Sequence, residues 1–242
     1  MAWTDSMGTA LFWLLLDQTR PQTDQLVISG GKGHHLARVL RVRVGEQGVV
    51  VAEGIEHHVA VSEVADGTVK AQVLERRPIG GEPSVSVTLL QAVLPNPDFD
   101  AVIESATAVG VSQVIAVQAA RSIARPAASR LSRWQTIAVS AAEQSHRGRA
   151  PELRGPISLE AAVDAVAGMN QLLVLDPRAT RALVAVDRVP AYALAIGPEG
   201  GWSDEERSLM RERGGIEVHL GPRILRARLA PIVAAAILVQ RS

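Results

Sequence analysis

Apolar positions follow two different rhythms along the chain. Over positions 11–75 they come in short runs or alternate with polar ones, the spacing of half-buried strands. Strands are expected at 11–16, 25–28, 48–52, 57–64 and 68–74, the last two joined by the turn Ala65-Asp66-Gly67. Between the second and third, Leu36, Val39 and Leu40 fall on one side of a helical turn, Arg38 and Arg41 fall on another, and Gly45 provides the exit. Positions 76–83 read Arg-Arg-Pro-Ile-Gly-Gly-Glu-Pro, and two Pro with two Gly in eight residues mark a linker. Beyond it, strands at 85–92, 114–117, 172–175, 192–196 and 217–220 alternate with helices at 98–109, 131–147, 204–213 and 231–240. That order predicts an α/β domain over 84–242 with a mostly parallel sheet, preceded by a small β-rich domain over 1–75.

The most informative stretch begins at Leu194-Ala-Ile-Gly-Pro-Glu-Gly-Gly-Trp202 and continues into Ser203-Asp-Glu-Glu206. A buried strand stops in a glycine turn, and Ser203 with Glu206 forms an S-x-x-E capping box that opens a helix. Such a junction leaves backbone N–H groups free for a ligand. A plain tight turn needs the same glycines, so the two readings stand side by side.

Composition narrows the chemistry. The chain has 242 residues, no Cys and a formal net charge of zero, which excludes disulfide and thiolate chemistry and suits the cytoplasm. No His spacing suggests a metal, and the adjacent pairs His34-His35 and His57-His58 would face opposite ways on a strand. The run at 11–16 is too short to span a bilayer, Asp5 without a preceding cation argues against a signal peptide, and Met7 is a second candidate start. The cations are unevenly placed. Between positions 32 and 43 there are four and no acid; between 121 and 149 there are six Arg and one acid, Glu143. On a neutral chain such clusters read as polyanion docking surfaces or as solvated helix faces.

Several segments share an order and spacing. They are His34-His-Leu-x-x-Val-Leu-Arg41 with Gly45, Ala106-Thr-x-x-Gly-Val111, Arg121-Ser122, Trp134, and Ala142-Glu-Gln-Ser-x-Arg147 with Pro151. Ile196-Gly-Pro-Glu-Gly-Gly-x-Ser203 and Leu220-Gly-x-Arg-Ile-Leu-Arg226 complete the set. Together they resemble the ribosomal small-subunit (16S) RNA uridine-N3 methyltransferases (RsmE-like) of the SPOUT superfamily, over nearly the whole length. The resemblance implies a C-terminal SPOUT methyltransferase domain with a deep trefoil knot and a PUA-like RNA-binding domain before it. It implies S-adenosyl-L-methionine as cofactor, held by Leu175, Ile196, Gly197, Pro198, Glu199, Gly200, Gly201, Leu220, Gly221, Ile224 and Leu225. Arg226 is the implied stabiliser of negative charge on the uracil, and Glu199 orients it or takes the proton; Arg228, Glu143, Gln144 and Arg147 are further candidates. Ribosomal RNA of the small subunit would be met by Lys32, His34, His35, Arg38 and Arg41, and by Arg121, Arg133, Gln144 and Arg147. The family also implies a homodimer through the knot, no membrane and no metal.

The chain departs from the family where many members carry Thr-Glu-Thr-Ala and it reads Ala227-Arg-Leu-Ala230. The segment Leu94-Pro-Asn-Pro-Asp-Phe-Asp100 likewise lacks the usual basic residues. Two other readings therefore stand beside the first: a non-catalytic RNA-binding or ribosome-assembly factor on the same fold, and a methyltransferase for another nucleotide.

Overall fold

The computed structural model describes residues 10–16, 24–127 and 129–240, and the alternative start at Met7 lies outside the described residues. Contacts divide the chain into two units. One comprises the described residues up to Gly81 with His146–Arg149; the other runs from Glu82 to Ser145 and resumes at Ala150.

The first unit contains β1 (Ala10–Leu15), β2 (Gln25–Ile28), α1 (Gly30–His34), β3 (Gln47–Ala52), β4 (Ile55–Ala65) and β5 (Thr68–Pro78). Its sheet has the order β1-β3-β4-β5-β2, with β1 parallel to β3 and the remaining pairs antiparallel. Both tight hairpins use an acidic residue followed by Gly at positive φ, Glu53-Gly54 at 50° and 76° and Asp66-Gly67 at 46° and 76°. That pair of left-handed residues gives a turn whose twist matches the strands it joins. Phe12, Leu26, Ile28, Leu36, Val50, Val59 and Val69 fill the core beneath. Trp13 stacks on His146 with ring centroids 4.7 Å apart, and its indole N–H donates to the Arg147 carbonyl at 3.0 Å.

Two expectations change here. Arg76, Arg77 and Pro78, expected in the linker, continue β5 and pair with His57, Glu56 and Ile55. Pro78 ends the ladder, where a missing N–H matters least. The apolar stripe Leu36, Val39, Leu40 does not form. After α1 the chain widens into a π-helical turn, His35–Leu40, closed by Arg41 at φ 54°. Bonds in such a turn reach five residues back, so positions three and four apart no longer share a face. Leu36 is buried, while Val39 and Leu40 are exposed.

The second unit contains β6 (Ser86–Ala92), α2 (Asp98–Val109), β7 (Gln113–Gln118), α3 (Arg130–Gln144), β8 (Glu152–Ser158) and α4 (Leu159–Ala165). It continues with β9 (Gln171–Leu175), β10 (Ala191–Ile196), α5 (Asp204–Glu212), β11 (Ile216–Val218) and α6 (Ala230–Gln240). All strands are parallel, in the order β11-β9-β10-β6-β7-β8. Alternate residues of β6 enter opposite cores. Val87 and Leu89 face α2, α3 and α6, while Leu90 and Ala92 face α4 and α5. A parallel sheet covered on both faces needs such continuous apolar strands. Phe99 and Trp134 lock α2 to α3 with ring centroids 4.6 Å apart.

Sequence periodicity did not foresee β8 or α4. Gly155 and Pro156 interrupt β8, which lies at the sheet edge, and Gly155 at φ 98° displaces its register with β7. The third helix ends at Gln144, because His146 turns left-handed at φ 55°. The last strand is Ile216–Val218, one residue earlier at its start and two shorter at its end than the 217–220 span expected.

After β11 the chain turns back beside the β9–β10 connection. His219 donates to the Arg181 carbonyl and Leu183 donates to the His219 carbonyl, both at 2.9 Å. Then α6 packs on α2, on β6 and on the short turn Leu183–Ala185.

Candidate active site

The carboxyl ends of parallel strands in such a sheet leave their loops on one side, where ligands are usually bound. Four neighbouring strands end in register here. Ile196 of β10 pairs with Gln91 of β6 on one side and Leu175 of β9 on the other, and Leu175 pairs with Val218 of β11. Ile196 and Val218 are buried in the core shared with α2, α3 and α6, and Leu175, Leu220 and Leu225 pack partly buried against it. Ile224 does not join them; it is 86% exposed, because the segment around it leaves the sheet to reach α6.

The loop leaving β10 is built to bring backbone close to backbone. A Cβ on Gly197 would lie 3.3 Å from both the Gly201 carbonyl carbon and the Trp202 nitrogen. Gly201, at φ 68°, donates its N–H to the Pro198 carbonyl at 2.8 Å and closes the turn. Gly221, in the loop after β11, adopts φ 105° and takes the imidazole of His219 as acceptor for its N–H at 2.9 Å. The expected capping box is formed. The Ser203 hydroxyl accepts from the Glu206 amide at 3.2 Å, and Glu206 accepts from the Ser203 amide at 2.8 Å. Pro198 is buried and Glu199 is exposed at the tip.

Arg226 projects from the segment before α6 without an ion-pair partner among the described residues, whereas Arg228 pairs with Asp98 at 3.0 Å. The other residues expected to meet RNA divide. Arg133 is bound to Asp100 at 2.8 Å, and Gln144 lines a cleft of about 260 Å³ between α2 and α3, with Glu104, Ser105, Ala108, Ala141 and Ser145. Arg121 donates to the Gly200 carbonyl at 2.8 Å. In the first unit, His34, His35, Arg38 and Arg41 are exposed along α1 and its π-helical extension. Lys32 is instead turned to the Leu15 carbonyl, and Arg147 is only 5% exposed, so neither offers an outward cation.

A model of the RNA methyltransferase domain family matches residues 81–239. The ribosomal RNA small subunit methyltransferase E of Mycobacterium tuberculosis is 34% identical over 243 residues, covering 94% of this chain and 90% of that one. The Synechocystis protein of the same name is 36% identical over 210 residues, covering 84% and 69%. The chain belongs to the ribosomal RNA small subunit methyltransferase E family. A solved family member from Neisseria gonorrhoeae, bound to S-adenosyl methionine, superposes with a TM-score of 0.86 at 27% identity over 95% of this chain and 98% of that one. A Legionella pneumophila protein described as a methyltransferase, in complex with SAM, gives 0.86 at 27% identity over 94% and 96%.

Around this family's glycine loop, the structure adds residues that sequence patterns did not single out. Asp176, directly after β9 and 4% exposed, accepts from the amide, Nε and Nη2 of Arg178 at 2.8, 3.0 and 2.9 Å, and lies 3.3 Å from Arg207. The Arg178 hydrogen bonds hold its carboxyl below the usual range, with Arg207 adding to them against the opposing effect of burial. Arg207 also makes a two-pronged bond to Glu217 at 3.0 Å, so α5, β9 and β11 are tied at one point. Gln91, wholly buried in the central strand, gives its amide N–H to the Ala92 carbonyl at 2.9 Å. The Asp-Pro-Arg spacing after a strand was the available signal for the first group. A lone Gln inside an apolar run gave none for the second.

Proposed function

We propose that this chain is an S-adenosyl-L-methionine-dependent methyltransferase that methylates N3 of a uridine in 16S ribosomal RNA of the small subunit. The observation that carries the reading is the glycine loop at the carboxyl end of β10, in register with Leu175 and beside the Gly221 turn. The close approach of Gly197 to the Gly201–Trp202 peptide, which a Cβ would crowd, and the left-handed Gly201 and Gly221 fit a tight loop that meets a nucleoside with backbone groups. Leu175, Ile196, Leu220 and Leu225 supply its apolar wall, and the backbone of Gly197, Pro198, Glu199, Gly200, Gly201 and Gly221 supplies hydrogen bonds. Ile224 completes the loop without packing on that wall.

Bound there, the cofactor supplies an electrophilic methyl group that needs positioning alone. The protein's task is the nucleophile. A uridine N3–H must lose its proton, and N3 lies on the pairing edge, so the target base must be unpaired or turned out. In this reading Arg226 stabilises the resulting uracil anion, and Glu199 orients Arg226 or accepts the proton. Residues 84–242 form a SPOUT domain in this reading. The return of the chain past the β9–β10 connection into α6 supports a trefoil knot, and exposed Val184, Ile224 and Leu229 support a homodimer through that region. Residues 1–75 form a PUA-like domain that meets phosphates through His34, His35, Arg38 and Arg41, in the cytoplasm. Arg133 and Gln144 are exposed residues of the second unit that would meet the same RNA.

The test is methyl transfer from labelled cofactor to small ribosomal subunits, with the product nucleoside identified by mass spectrometry. Methylation at N3 of uridine is expected. Cofactor binding without transfer would assign the chain to a non-catalytic role. Replacing Arg226 by Ala should lower turnover by about 10²–10³-fold while the cofactor Kd changes little; unchanged turnover removes Arg226 from the mechanism.

A further inference from the structure

We infer that Arg121 is a positioning residue for the cofactor, acting through the backbone of Gly200. The inference rests on the cofactor site proposed above. The peptide joining Gly200 to Gly201 is flanked by two residues without side chains, and glycine loses more backbone freedom on ordering than any other residue. Two hydrogen bonds fix that one peptide plane. Its N–H, from Gly201, donates to the Pro198 carbonyl at 2.8 Å, and its carbonyl, from Gly200, accepts from Arg121 Nη1 at 2.8 Å. The aliphatic stem of Arg121 lies along the same residue. A Cβ on Gly200 would stand 3.3 Å from Arg121 Cβ and 3.4 Å from its Cδ.

Arg121 is itself held in place. The preceding residue, Ala120, donates its amide to Glu206 Oε1 at 2.7 Å, and Ser122 donates its amide to Ala119 at 3.1 Å, closing the turn after β7. Glu205 adds an opposite charge nearby; its own amide and the Ser203 hydroxyl hold its carboxyl below the usual range, and Arg121 lowers it further. The guanidinium was expected to meet RNA phosphate. Its geometry instead aims it at the loop that frames the cofactor. Without it the Gly200–Gly201 peptide keeps one tether, and the loop spends only part of its time in the binding conformation. The apparent Kd rises by the inverse of that fraction.

The experiment compares wild type with Arg121→Ala and Arg121→Lys by calorimetric titration with S-adenosyl-L-methionine, by steady-state methyl transfer and by binding to small-subunit RNA. Thermal melts confirm that each variant is folded. Arg121→Ala should raise the cofactor Kd and KM roughly tenfold, a larger change than in kcat, and Arg121→Lys, which retains a donor on a long stem, should recover much of the loss. A cofactor Kd within about twofold of wild type in folded Arg121→Ala overturns the inference, as does a loss confined to RNA affinity. Wild-type protein that binds no cofactor overturns the proposed function as well, so the two failures are told apart.

Discussion

In the first unit the candidate ligand contacts are side chains. His34, His35, Arg38 and Arg41 stand exposed on a short helix that has widened into a π-turn. In the second they are mostly backbone, because a glycine loop at the end of a buried strand leaves peptide groups as the nearest surface. Each unit therefore has a different part to keep rigid. Long cations can adjust to a phosphate, so the first unit needs only a firm platform under them. A backbone cradle has no side chain to adjust, so its peptide planes must be set beforehand by neighbours such as Arg121, whose own segment Glu206 holds. Preorganisation of that kind lowers the ordering cost of binding.

Substitutions in each unit test this contrast. The largest effect is expected in the platform. A Cβ on Gly33 would lie 2.4 Å from the Ile28 carbonyl oxygen and 2.6 Å from that of Gly67, both backbone atoms. Gly33→Ala should therefore cost about 3 kcal/mol, seen as early hydrogen exchange in β2 and β5. A cost below about 1 kcal/mol would mean the helix can slide and the platform is soft. In the second unit, Asp176→Asn should cost about 2 kcal/mol, because Arg178 and Arg207 lose a buried charged acceptor. The pH dependence has a defined sign. The folded carboxyl titrates below the unfolded value of about 3.9, so its stabilisation is complete above that value and disappears as pH falls toward the lowered folded one. Acid titration of wild type and Asp176→Asn by circular dichroism should show the difference between them closing in that window. A constant gap would show that packing, not charge, is what Asp176 contributes. Ser203→Ala should cost about 1 kcal/mol through loss of the hydroxyl that caps α5, and chemical denaturation measures it.

How much of this was legible depended on punctuation. The helix Asp98–Val109 was readable to the residue because Pro97 precedes it and Gly110, at φ 109°, closes it. β2 and the Asp66-Gly67 hairpin were clear for similar reasons. β8 was hidden because Gly155-Pro156 looks like a loop, and only its ladder with β7 makes it a strand. The π-turn was hidden because the residues of α- and π-helices are alike. In the candidate site, the glycine loop announced itself. Ile224 did not reveal that it would face solvent, since an apolar residue beside Leu225 reads the same either way. The charge cluster around Asp176 joins segments far apart in sequence, and no local pattern encodes such a meeting. The mixed and parallel sheets agree with the α/β class expected.

Glu206 couples two motions. One of its oxygens closes the first turn of α5 through the Ser203 amide, and the other holds the Ala120 amide in the loop after β7. A single rotation of that side chain would release both. Fraying of the helix start and detachment of the neighbouring loop are thus joined in one event, and their amide protons should exchange on a shared clock although Ala120 and Ser203 lie 83 positions apart in the sequence.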